Sequence, residues 1–515
     1  PKKNKKNPCK SANPCHLCSH CIPSFQTETV TATYKNSINV NHFINGQSHP
    51  PHSGQYADVT NPCTGEIVGQ FAVGDETDVQ IAIESAANAF RFWKKRSMAE
   101  RAKIQHRAAD LMRQNAATLA KTLCLELGRP FAGCLTEIQR SAELLDYYAE
   151  EALRMKGELP FTNVEGEQVM VVRQPIGVVV AITPFNYPIT LLTFKLGAAL
   201  MMGCTVVAKP SEDTPLSTLQ LATLFTESGL PNGVFNVITG YGSSIGKALI
   251  SNDLVSKIAF TGGTTTGKFI AQLASSLNKR ITLELGGQSP AIVCADADLS
   301  KAIPALVRHA FANTGQFCYR VNRIYVQQDI YDLFLQRFCE IARQLTVGND
   351  LKKQCDLGPL VNHKIFQNAE NQVFDAISKG GNIVLGGQRL TGEDYDLGWY
   401  FPPTVVANAH HSMKIMREET FGPVVGIMPF SENQQALDWA NDTIYGLAGY
   451  VFSKDLGTAL RLAEQIDAGS VWVNDIFRSH QNVPFGGMKQ SGIGREKGRY
   501  GLESYTELKT IYLNY

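Results

Sequence analysis

Val178-Val-Val-Ala-Ile-Thr183, a turn holding Pro184 and Pro188, the apolar run Ile189–Met202 and then Thr205-Val-Val-Ala-Lys209 form the stretch on which the fold is decided. The two short runs are apolar and largely β-branched and have the length of strands. The run between them is long enough for a helix. The same rhythm predicts a helix over Leu216–Ser228, a strand over Val234–Ile238, a helix over Ser244–Ile250, a strand over Lys257–Phe260 and a helix over Thr266–Leu277. Strands without polar alternation are covered on both faces. Joined through helices, they make right-handed crossovers and a parallel, doubly wound sheet. A second alternating block runs from Ile281 to about Val473. The expected fold class is therefore α/β.

Upstream, apolar residues at helical spacing predict helices near Glu76–Lys95, Ala99–Leu127 and Phe131–Arg154, with Gly128 and Gly157 as stops. Short strand-like runs lie around Phe43–Gly46 and Tyr56–Phe71. At 515 residues the chain exceeds the usual size of one hydrophobic core. Lys+Arg 48 against Asp+Glu 47 leaves no field to draw nucleic acid, and no apolar run reaches membrane-spanning length. The basic start (Lys2, Lys3, Lys5, Lys6) carries no apolar segment of a secretory signal. Twelve cysteines in so long a chain are not a disulfide framework, so a reducing, cytoplasmic compartment is expected. Residues 1–35 read as a flexible, Cys-rich tail. Its Cys15-His-Leu-Cys18-Ser-His-Cys21 has ligand-like spacing but no second pair or mini-core, and no metal is expected at the catalytic centre.

Three fragments carry chemistry. Cys318 ends Asn313-Thr-Gly-Gln-Phe-Cys318, Glu284 closes an apolar strand before Leu285-Gly-Gly287, and Glu419 and Phe421 lie in Glu418-Glu-Thr-Phe-Gly-Pro423. A lone cysteine is usually a small buried hydrophobe. Set beside a carboxylate base and a second acidic run in an α/β chain, it reads as a nucleophile for redox chemistry on a carbonyl. Asn186, in Thr183-Pro-Phe185-Asn-Tyr187-Pro188, could offer an amide to an oxyanion or cap the next helix; the fragment leaves both open. Lys209 and Glu212 sit at a strand's C-terminal end, as ribose ligands or as a solvated pair. Gly240-Tyr-Gly242-Ser-Ser-Ile-Gly246 is one residue too long for the dinucleotide fingerprint. Phe260-Thr-Gly262-Gly263-Thr-Thr-Thr-Gly-Lys268 lacks the hydroxyl that an NTPase loop needs after its lysine, because Phe269 stands there.

Together the fragments resemble the aldehyde dehydrogenase superfamily over roughly residues 41 to 510. The resemblance is completed by Gly469-Ser-Val-Trp-Val-Asn474 and Pro484-Phe-Gly-Gly-Met-Lys-Gln-Ser-Gly-Ile-Gly-Arg495. It implies two Rossmann-like domains: a cofactor-binding one over 36–156 and 176–287, and a catalytic one over 288–490. Oligomerisation arms at 157–175 and 500–515 would make a homodimer or homotetramer. It implies Cys318 as nucleophile with a locally lowered pKa, Glu284 as the base that hydrolyses a thioester, and Asn186 as oxyanion donor. Phe185, Lys209, Glu212, Gly242, Gly246, Gly262, Gly263, Leu285, Glu419 and Phe421 would bind the cofactor. NAD is favoured over NADP, since Glu212 repels a 2′-phosphate. Tyr187, Phe194, Phe317, Tyr319 and Phe485 would line the substrate tunnel for a small-molecule aldehyde, with Arg478 and His480 as an anchor for an acidic one or as ordinary exposed loop. Semialdehyde-oxidising relatives carry arginines where Phe194 and Ala312 stand, so an apolar aldehyde is expected and a semialdehyde or small hydroxyaldehyde is the alternative. A CoA-acylating relative is disfavoured by Glu284, and a binding protein without turnover by the complete trio.

Overall fold

The computed structural model describes residues 39–515. The expected tail over residues 1–35, with its ligand-like cysteines, lies outside the described residues. Every element predicted in the first alternating block is present, with ends shifted by a residue or two: the strands are Val178–Ile182, Thr205–Lys209, Phe235–Val237 and Val255–Thr261. They pair in parallel with one another and with Arg280–Glu284. Short antiparallel strands close both edges: Gly492–Ile493 on Arg280–Glu284, and the hairpin His42–Ile44/Gln47–His49 on Phe235–Val237. Val179, Val180, Val206 and Val207 are fully buried, and each contributes about 1.5–3 kcal/mol relative to exposure.

Chain order reverses between Val178–Ile182 and Val255–Thr261, which are neighbours in the sheet although Thr205–Lys209 and Phe235–Val237 follow on the other side. Crossovers leave in opposite directions at such a point, opening a crevice beyond the strands' C-terminal ends. The segments leaving these two strands carry Phe185, Asn186, Gly262 and Gly263. The second block forms a seven-stranded sheet, in which Thr404–Ala407, Val424–Phe430, Val321–Gln327, Ser289–Val293, Ala448–Phe452 and Ser470–Val473 run parallel and Asn382–Leu385 is an antiparallel edge. The α/β class with two doubly wound sheets thus holds. A third element is the ribbon of Glu167–Pro175 and Thr506–Asn514, antiparallel along its whole length.

The helix Pro188–Met201 is buried on nearly every face, Lys195 included, because it lies between the first sheet and the outer helix Phe131–Ala152. Two expectations need correction. The helix predicted over Ala99–Leu127 is two, Met98–Gln114 and Ala116–Leu127. Asn115 separates them, at φ −99° and ψ 12°, its side chain donating to the Leu111 carbonyl at 2.9 Å; a short amide that bonds nearby backbone competes with helix continuation. Gly157 does not stop the third helix, which ends at Ala152. It lies instead against the ribbon, where a side chain would meet the Val171 carbonyl. No helix among the described residues is long and apolar enough to cross a membrane.

Candidate active site

Cys318 follows a tight, strained turn. Asn313 (φ 48°), Thr314 (φ 54°) and Gly315 (φ 73°) are all left-handed, a region that residues with a side chain seldom enter. The turn is held by its own polar groups: Asn313 Nδ2 donates to the Asn186 carbonyl at 3.3 Å, and Gln316 Oε1 accepts from the Val361 amide at 2.9 Å. Strain fixed in this way keeps the half-buried thiol at one place in the crevice.

Asn186 reaches the same turn from the first sheet. Its Nδ2 donates to the Gln316 carbonyl at 3.0 Å, leaving a second N–H for another acceptor. It caps no helix: Tyr187 is the residue that precedes Pro188–Met201, and its own side chain makes no capping bond. Glu137 takes the capping part, its Oε1 accepting from the Ile189 and Thr190 amides at 3.0 Å. Glu137 is in turn paired with buried Arg129 at 2.7 Å, and Arg129 donates to the Asn186 carbonyl at 3.3 Å and covers the Tyr187 ring at 4.6 Å. The Arg129–Glu137 pair was not anticipated from sequence.

Glycines bring the remaining groups close. A Cβ on Gly287 would stand 2.1 Å from the Cys318 carbonyl, and one on Gly486 2.6 Å from Glu284 Oε1, so the Gly-Gly turn after Glu284 and the Pro484–Gly487 segment can approach only as bare backbone. Glu284 is 1% exposed, and neither carboxylate oxygen has a hydrogen-bond partner among the described residues. Burial first, and then the charge of Glu496, hold its carboxyl well above the usual range. Behind it, Lys195 Nζ pairs with Glu496 at 2.7 Å and donates to Thr261 Oγ1 at 2.6 Å. A lone lysine in an otherwise apolar helix was the available signal for this buried pair, since buried ammonium groups occur almost only with partners. Burial likewise pushes the Cys318 thiol up, followed by the charges of Glu419 and Glu284. The backbone amides of Cys318 and Tyr319 act the other way but are outweighed, which leaves the nicotinamide as the other expected source of a lowering.

The groups read as cofactor ligands fall in two places. Glu419 accepts from the Gly287 amide at 3.0 Å, and burial raises its carboxyl to about 7. Phe421, at φ 53°, turns its ring edge-on to Phe185 at 5.7 Å; a bulky residue in the left-handed region is held there by its surroundings. Lys209 Nζ lies 3.3 Å from the more exposed Glu212, and burial lowers its ammonium pKa. Gly242 and Gly246 lie in the first turns of the helix Gly242–Ser251, and Gly263 precedes the helix Thr264–Ser276. A side chain on any of the three would meet open space, so two helix N-termini present bare amides, a setting suited to phosphate. Gly262 donates its amide to the Glu284 carbonyl at 3.0 Å. Leu285 points elsewhere, packing against Gly267 in the first sheet's core. These donors fit a dinucleotide. Among the described residues no cluster of three or more His, Cys, Asp or Glu is placed to hold a metal.

The aromatic residues adjoin one another. Phe194 meets Phe485 at 6.3 Å, Phe485 meets Tyr319 at 5.7 Å, and Tyr319 meets Phe317 at 4.9 Å. Phe317 also stacks on buried His309 at 5.2 Å, on the side of the second core. Phe477 stacks on Tyr319 at 4.0 Å and had no signal in the sequence beyond its aromatic character. Arg478 does not join this wall: it is 73% exposed and paired with Asp475 at 2.6 Å.

The aldehyde dehydrogenase family model matches residues 49–511. The mitochondrial succinate-semialdehyde dehydrogenase of Oryza sativa is 40% identical over 469 residues, spanning 91% of this chain and 88% of its own. The NADP-dependent succinate-semialdehyde dehydrogenase of Escherichia coli is 38% identical over 466 residues, 90% of this chain and 96% of its own. Among solved structures, the betaine aldehyde dehydrogenase of Staphylococcus aureus in complex with NAD+ superposes with TM-score 0.90 at 36% identity, covering 92% of this chain and 95% of that one. The NAD-dependent aldehyde dehydrogenase of Sinorhizobium meliloti gives TM-score 0.91 at 35% identity, covering 95% and 97%.

Proposed function

The chain belongs to the aldehyde dehydrogenase family, and from that premise we propose that Cys318, Glu284 and Asn186 carry an NAD-linked oxidation of an aldehyde to its acid. The observation that supports these roles best is the meeting of three segments distant in sequence. The Gly287 backbone lies against Cys318, the Asn186 amide against the turn leading to Cys318, and an unbonded, buried carboxylate stands just before that glycine.

Cys318 gives its proton to solvent water and its sulfur adds to the carbonyl carbon as the C=O π bond breaks, placing negative charge on the carbonyl oxygen. The free N–H of Asn186 and the Cys318 amide are the donors for that charge. What NAD supplies when bound is a positive charge beside the thiol and an acceptor for hydride. Loss of hydride from the thiohemiacetal carbon leaves an acyl thioester on Cys318. Glu284, a stronger base for its raised pKa, then takes a proton from water, whose oxygen attacks the thioester and releases acid and thiol. Glu496, with one oxygen on Lys195 and the other unbonded, lies behind Glu284 as the outlet for that proton. Lys209 and Glu212 would hold the adenosine ribose, and Glu419, the nicotinamide ribose. The carboxylate of Glu212 favours NAD, with NADP as the alternative. Asn186→Ala is expected to lower kcat by roughly 10²–10³-fold, the usual cost of one oxyanion donor, in a steady-state assay of NADH formation. An unchanged kcat would remove Asn186 from the reaction.

The ribbon supports a second part of this reading. Leu508, Tyr512 and Leu513 are exposed on Thr506–Asn514, and a two-stranded ribbon has free edges that another chain can pair with. We propose that copies associate through it as a dimer or a dimer of dimers. Sedimentation at micromolar concentration should show that species, and deletion of residues 506–515 should abolish it; a wild-type monomer would refute the proposal. All eight cysteines among the described residues are unpaired, and we propose a reducing compartment, with the cytoplasm as the expected one.

A further inference from the structure

Lys497 is 3% exposed, yet no carboxylate pairs with it among the described residues. Its Nζ donates to the His480 carbonyl at 2.7 Å and to Ser479 Oγ, and it stands 5.7 Å from the centre of the Phe194 ring. All these neighbours are neutral, and one ammonium N–H is left over. A buried ammonium is costly without an anion. Its backbone adds a second cost: φ 63° and ψ 173° is a conformation almost confined to glycine. A methionine here would fill the same space without the first penalty, and a glycine would avoid the second. Burial and the nearby Arg140 lower its pKa to about 8, so the ammonium stays charged at neutral pH.

Arg140, exposed on the helix Phe131–Ala152, is the second cation of this region. Its charge acts on both Lys497 and Tyr319. The loop holding Lys497 is tied to it, since Gln481 donates to the Arg140 carbonyl at 3.4 Å. From Lys497 the wall runs through Phe194, Phe485 and Tyr319, the residue next to Cys318. Lys497 stands at the other end of this run of rings from Tyr319, so an aldehyde with its carbonyl at Cys318 and its body along the rings points its far end toward Lys497.

We propose that Lys497, with Arg140 at the rim, anchors a carboxylate at the far end of the substrate, so that the preferred aldehyde is a short semialdehyde. The proposal rests on Cys318 being the reacting group. It places the anchor on the segment after Pro484–Arg495 rather than at Phe194 or Ala312, where no cation stands.

The test compares wild type, K497M, K497R and R140Q with NAD on 4-oxobutanoate and on butanal, its uncharged analogue, and measures succinate binding by calorimetry. Wild type should prefer 4-oxobutanoate. K497M should lower the ratio of kcat/KM for 4-oxobutanoate over butanal by roughly 10- to 100-fold, mainly through KM, as expected for a lost charge-assisted hydrogen bond. K497R should keep part of the preference and R140Q should weaken it. Succinate should bind wild type and not K497M. An unchanged ratio, or equal succinate binding by both proteins, overturns the anchor. If neither aldehyde turns over but succinate binding still depends on Lys497, the anchor stands and the Cys318 reading fails. Should K497M not fold, K497R and R140Q decide by the same ratio.

Discussion

Cys318→Ala is expected to reduce aldehyde-dependent NADH formation by roughly 10⁵–10⁶-fold, the scale at which removal of a covalent nucleophile acts. The reason is geometric. The thiol sits at the end of a turn with three successive left-handed residues, and Asn186 and the Gly287 backbone converge on that turn. The half-buried sulfur is a small part of the packing, and its loss should change stability by about 1 kcal/mol or less. Steady-state kinetics and a thermal melt on the same preparation separate the two effects. NADH formation near the wild-type rate would overturn covalent catalysis.

Glu284→Gln should act later. The thiol remains, so one burst of NADH is retained, while steady turnover falls by roughly 10²–10⁴-fold, the contribution of a positioned general base. The acyl group should stay on Cys318 and appear as added mass on the intact protein. The pH profile gives an independent check. Burial and Glu496 raise the Glu284 carboxyl, so it becomes a base only at higher pH than an ordinary glutamate would. Wild-type deacylation should therefore climb with rising pH, its rise set higher than an ordinary glutamate would give, and the glutamine variant should lose that climb. Full turnover by the variant would show that another group activates the water.

The first sheet could be read from sequence because its strands are covered on both faces, which leaves runs such as Val178–Ile182 unbroken by polar residues. The break at Asn115 could not, since it depends on one amide choosing the Leu111 carbonyl over solvent. Cys318 and Glu284 stood out as chemistry placed at the ends of apolar segments. The buried pairs were hidden for a different reason. Lys195 and Glu496 are 301 positions apart, and only the folded sheet brings them together. Lys497 was hidden in the same way, among the charged residues near the C-terminus. Arg478 was the more visible cation, but Asp475, three residues before it, already offered a local partner.

The groups that seal the crevice come from residues 486–514, far along the chain from Asn186, Glu284 and Cys318. Gly492–Ile493 borders the strand of Glu284, Gly486 lies against its carboxylate, Glu496 meets Lys195, and Thr506–Asn514 completes the ribbon. A ribosome therefore delivers Cys318 and Glu284 well before it delivers the wall that shelters them. A nascent chain stalled before Pro484 would carry Cys318, Glu284 and Asn186 without the segments that cover Glu284, and Glu167–Pro175 would present a raw edge to other nascent chains.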